Sequence, residues 1–78
     1  MTMDAKVRVI EIIAGVCEVT PEEITLESTI GDFPTWDSIG HLTILSQVEE
    51  AFNINFDPEE MMDLEDVSDI IKAVEEKL

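Results

Sequence analysis

Asp37-Ser38-Ile39-Gly40-His41-Leu42-Thr43-Ile44-Leu45-Ser46-Gln47-Val48-Glu49-Glu50-Ala51-Phe52 carries the most regular apolar pattern in the chain. At 100° per residue, Leu42, Leu45, Val48 and Phe52 share one face, which Ile44 and Ala51 extend. Gly40, Thr43, Gln47 and Glu50 form a stripe on the opposite side, with Ile39 at its edge. The spacing predicts a helix over residues 38–52, with Leu42 at the start of its core face. Gly31-Asp32-Phe33-Pro34-Thr35 precedes Trp36, so Asp37 and Ser38 stand where a loop becomes a helix. A helix start leaves backbone N–H groups unpaired and carries a partial positive charge, so it can hold a phosphate. The Ser38 hydroxyl is a candidate for carrying one covalently. The plainer reading is a helix cap, worth ~1 kcal/mol and requiring no function. The two coexist if Asp37 caps and Ser38 Oγ points outward.

Outward from this stretch, residues from about Asp4 to Cys17 read as a first amphipathic helix. Val7, Ile10, Ile13, Ala14 and Cys17 form its stripe, and Val9, Ile12 and Val16 widen it. Cys17 lies in that stripe and reads as a buried, inert thiol. Thr20-Pro21-Glu22-Glu23 has a capping Thr, Pro at the first helical position and Glu three after the cap, which predicts a single turn. Ile24, Leu26 and Ile30 are expected to pin the long loop that follows to the core. Loops of this length in small domains tend to be functional, and this one ends at Ser38. Beyond Asn53–Asp57, Pro58 opens a short acidic helix through Leu64, with Met61, Met62 and Leu64 as its apolar contacts. Asp66 caps a last helix of about Val67–Lys77, with a stripe of Val67, Ile70, Ile71, Val74 and Leu78. The expected fold is all-α: one domain, a small four-helix bundle of three main helices and one short one, with a long loop between the first two.

Composition limits the function. Of 78 residues, 45% are apolar and 5% aromatic, and no run alternates with the period of a strand. No apolar run approaches the roughly 18 residues of a membrane span. Asp4, Lys6 and Arg8 interrupt the N-terminal apolar residues, so a signal peptide is not expected, and the chain is read as cytoplasmic and monomeric. Nineteen acidic residues face four basic ones, a net charge of −15, and no Lys or Arg occurs between Val9 and Ile71. This argues against nucleic acid and anionic membrane surfaces as partners and favours proteins with basic docking patches, or bound cations. A single Cys excludes an internal disulfide and a cysteine-built zinc site.

Two other chemistries fail on their own requirements. His41 lies three residues after Ser38, but nothing supplies an orienting acid or an oxyanion site for a hydrolytic nucleophile. His41 reads instead as an ordinary residue at the edge of the helix. Asn53-Ile54-Asn55-Phe56-Asp57 alternates oxygen ligands, but an EF-hand needs Gly where Pro58 stands and an acid where Leu64 stands.

Asp37-Ser38-Ile39 opening a helix that closes on Val48-Glu49-Glu50-Ala51-Phe52 resembles the acyl carrier proteins, whose motif is Asp-Ser-Leu. The resemblance runs nearly the whole chain, through Val19-Thr20-Pro21-Glu22-Glu23-Ile24, Pro58-Glu59-Glu60 and the final helix. It implies that a phosphopantetheinyl transferase joins 4′-phosphopantetheine to Ser38, with Asp37 beside it, and that the arm's thiol carries an acyl group. It implies partners among acyl-transfer and condensing enzymes of fatty-acid, polyketide or related biosynthesis, meeting Ile39, Thr43, Gln47, Glu49 and Glu50. It further implies an acyl cavity among Leu42, Leu45, Val48, Met61, Met62 and Ile70, and a carrier that is not itself an enzyme. An aminoacyl, D-alanyl or peptidyl carrier is the near alternative; an acidic interaction module that never receives the arm is the distant one. Phe33-Pro34-Thr35-Trp36 before the motif and Gly40-His41 after it depart from the family's common pattern and point to a specialised member.

The charge makes one prediction independent of any family. Self-repulsion this large should be relieved by screening, so the melting temperature rises between roughly 0.01 M and roughly 1 M salt, or with added divalent cations. A melting temperature that is flat across that range removes the repulsion argument.

Overall fold

The computed structural model describes residues 5–78, in which α1 spans Ala5–Cys17, α2 Ser38–Phe52, α3 Pro58–Asp63 and α4 Val67–Lys77. Asp4, expected to open the first helix, lies outside the described residues. A single 3-10 turn, Pro21–Glu23, forms where the Thr-Pro-Glu-Glu signal stands, and Thr20 N donates to the Glu23 carboxylate at 3.0 Å. The expected all-α bundle is what folds.

Each helix boundary has a local cause. Asp37 caps α2 by accepting from Gly40 N at 2.8 Å, and Asp66 caps α4 by accepting from Asp69 N at 2.8 Å. Helix α2 stops at Asn53, whose left-handed backbone, φ 55°, is one that Asn tolerates. Before α3, Asp57 N donates to the Glu60 carboxylate at 3.0 Å and Pro58 takes the first helical position. That N–H, and secondly the Lys77 ammonium 2.9 Å away, hold the Glu60 carboxyl below the usual carboxylate range.

Helix α1 packs against both α2 and α4. Val9 and Ile13, Ile44, Leu45 and Val48, and Val67, Ile70 and Val74 meet in a core that excludes water. Several expected contacts fall elsewhere. Val7 is exposed, because α1 turns the sector through Val9, Ile12 and Ile13 toward its two neighbours. Leu78, beyond the end of α4, is also exposed. Leu42 is 59% exposed and does not begin the core face; Gly40 and His41, expected on the outer side and at the edge, are buried instead.

The long loop explains that rotation. Leu26 and Ile30 are exposed, so only Ile24 anchors the loop as expected. Backbone hydrogen bonds replace the missing apolar pins: Ile30 N to Glu65 O at 3.1 Å, Val67 N to Ser28 O at 3.0 Å and Ser68 N to Leu26 O at 3.1 Å. The loop thereby lies along the start of α4, with Thr29 and Asp66 paired as an isolated bridge. Gly31, at φ 96°, then turns it back, its N–H donating to Trp36 O at 2.8 Å. Trp36 enters the core completely, and the Thr35 carbonyl comes down on the first turn of α2.

At Gly40 that approach leaves no space for a side chain. A β-carbon there would stand 1.9 Å from the Thr35 carbonyl oxygen. Helix propensity alone says that Gly40→Ala gains up to ~1 kcal/mol. The structure reverses the sign: the loop must be pushed off α2, with a loss of about 1–3 kcal/mol. Urea unfolding followed by the fluorescence of Trp36 measures it, and a variant as stable as the parent contradicts this packing.

Candidate functional site

Ser38 is the first residue of α2, and Asp37 has already taken the capping role. The Ser38 side chain is exposed and its hydroxyl takes part in no hydrogen bond among the described residues. Beside it runs an open apolar groove of about 330 Å³ lined by Ile30, Ser38, His41, Leu42, Met61, Met62, Leu64 and Glu65. The exposure of Leu42, unexplained by helix periodicity, is the exposure of a groove wall. Met62, 79% exposed, stands on the opposite rim and contributes nothing to the core.

The residues singled out from sequence therefore divide. Leu42, Met61 and Met62 line the groove, whereas Leu45, Val48 and Ile70 lie in the closed core and not on its wall. Ile39 is 76% exposed one residue after Ser38. Thr43, Gln47 and Glu50 continue down the exposed side of α2, with the Thr43 hydroxyl donating back to Ile39 O at 3.0 Å. Glu49 differs from them. It is half-buried and accepts from Phe56 N at 2.7 Å, so it fastens the turn after α2.

Two residues acquire roles that periodicity did not show. The Trp36 indole N–H donates to His41 Nδ1 at 3.0 Å, and the two rings stack at 6.2 Å and 20°. An indole nitrogen can only donate, so Nδ1 is the accepting nitrogen and the imidazole carries its proton on Nε2. Nε2 then donates to the Leu64 carbonyl at the end of α3. The only sequence signal was the pairing itself: a lone Trp and a lone His on either side of Asp37-Ser38.

The model for the phosphopantetheine attachment site matches residues 7–74. Acyl carrier protein of Streptococcus pyogenes serotype M3 is 39% identical over 70 residues, covering 90% of each chain. That of Streptococcus pneumoniae serotype 4 is 37% identical over the same coverage. A third, from Renibacterium salmoninarum, is 31% identical over 71 residues, 82% of this chain and 88% of the relative. The chain belongs to the acyl carrier proteins. This is a family of carriers, not of catalysts, and its cofactor is 4′-phosphopantetheine. The geometry suits that group: an exposed serine, its hydroxyl in no hydrogen bond among the described residues, opens a helix next to an apolar groove. Among the described residues no helix is long and apolar enough to cross a membrane.

Cys17, the single thiol of the sequence, is buried. Burial pushes the Cys17 thiol up, and the Thr35 hydroxyl beside it pulls part of the way back. At pH 8 the native chain therefore holds less thiolate than free cysteine, and iodoacetamide should label it slowly until urea unfolds it. Labelling of the native, arm-free chain at the rate of free cysteine refutes the buried thiol.

Proposed function

We propose that the chain carries acyl groups as thioesters on a 4′-phosphopantetheine arm attached to Ser38, and passes them to enzymes of fatty-acid, polyketide or related biosynthesis. The observation that carries the reading is the division of labour at the start of α2. Asp37 caps the helix, which leaves the Ser38 hydroxyl exposed and in no hydrogen bond among the described residues. The arm supplies the thiol that holds the acyl group. The protein contributes position: a rigid helix start presents Ser38 Oγ to a phosphopantetheinyl transferase, and the groove walls Leu42, Met61 and Met62 offer apolar surface to the cargo. That lining favours an acyl group over an aminoacyl one, whose ammonium gains nothing from an apolar wall.

Ile39, Thr43, Gln47 and Glu50 form the face that partner enzymes meet, with Asp37 at its edge. Glu49 serves the fold more than the partner. The carrier is itself non-catalytic, a substrate of other enzymes.

Incubation with coenzyme A and a transferase of broad specificity tests the attachment by intact mass. The parent should gain a single arm and Ser38→Ala none. No gain under conditions that load a control carrier, or a gain that survives Ser38→Ala, overturns the assignment.

A further inference from the structure

Helix α3 is poorly held by its own side chains. It has six residues and none of them is fully buried; Met61 is half-buried and Met62 is almost free. The ion pair between Lys77 and Glu60 serves its middle. Its C-terminal end is fastened by Leu64, whose side chain enters the core and whose carbonyl receives His41 Nε2. His41 lies on α2, three residues beyond Ser38, and is itself held by Trp36 in the loop just before Ser38. One imidazole thus joins the loop, the turn of α2 that bears Ser38, and the end of the helix that supplies the Met61–Met62 wall.

We propose that His41 is a positioning residue for the Ser38 site: it holds the methionine wall of α3 against the turn of α2 that presents Ser38. Trp36 is its partner in this, because the indole N–H selects the one tautomer that can donate to Leu64. Loss of either bond leaves polar groups without partners in a buried place, so α3 is released instead of settling into a second fixed position. The surface that an enzyme meets around Ser38 is then no longer preformed, and recognition weakens before chemistry does. The proposal rests on Ser38 as the attachment point.

The test is the steady-state kinetics of arm transfer from coenzyme A to the full chain, at a temperature where circular dichroism shows each variant folded. His41→Leu keeps the volume and removes both hydrogen bonds; it should raise KM for the carrier about tenfold and leave kcat within about twofold. Trp36→Phe removes the donor together with part of a buried ring, leaves the bond from His41 to Leu64 possible, and should raise KM less. His41→Gln, which can both accept and donate, should recover much of the loss. Val9→Ala, a core truncation on α1, is the control: it should lower stability without moving KM. An unchanged KM in folded His41→Leu overturns the proposal, and so does an equal rise in Val9→Ala, which would make the effect one of stability alone. If His41→Leu does not fold, a parental KM in Trp36→Phe overturns it. Absence of any arm on the parent removes the Ser38 assignment and this proposal with it, whereas loading with unaltered KM removes this proposal alone.

Discussion

The contact of the Thr35 carbonyl with the bare α-carbon of Gly40 is the constraint on which the rest of the site depends. It lets the loop lie directly on the first turn of α2. Only at that distance can Trp36 reach the core while Asp37 stays in register to cap the helix. With Asp37 on the Gly40 N–H, the Ser38 side chain is left exposed and in no hydrogen bond among the described residues. With Trp36 inside, its N–H needs a partner, and His41 provides one. Ser38 is exposed while Trp36 and Asp37 before it and Gly40 and His41 beyond Ile39 are committed to the fold.

The same contact explains why α2 is rotated about its axis from the orientation that its apolar pattern suggests. A loop covers the Gly40–His41 side, so the buried sector shifts toward it and Leu42 moves out to the groove. Burial of an imidazole costs little when both nitrogens are satisfied, and here both are. The exposed Leu42 and Met62 are the counterpart: apolar surface that gains nothing for the fold but faces Ser38. The acidity of the chain sits outside this arrangement. Net charge −15 opposes compaction, and Lys77 answers it locally by pairing with Glu60 while lying 5.8 Å from the Phe56 ring.

Much of this was legible in the residues. Helix α2, the Asp37 cap, the Thr20-Pro21 turn, the Pro58 start of α3 and the Asp66 cap of α4 follow from local rules, because each needs only neighbours a few residues away. Local pattern misled where the neighbour was distant. Leu26 and Ile30 have the composition of core anchors, yet the backbone of residues 65–68 holds the loop and leaves their side chains in water. Glu49 reads as a docking acid in the sequence, but a backbone N–H seven residues away holds it.

By itself the sequence determined an all-α fold of four helices, an acidic surface and a serine at a helix start, since periodicity, charge and capping are properties of short segments. The tertiary structure alone decided which side of α2 faces inward, why Gly40 must be glycine and what Trp36 and His41 bond to. Those answers depend on where a loop's carbonyl and a third helix's last residue come to rest. Burial and hydrogen-bond satisfaction are set by the whole packed chain, so no window of sequence contains them.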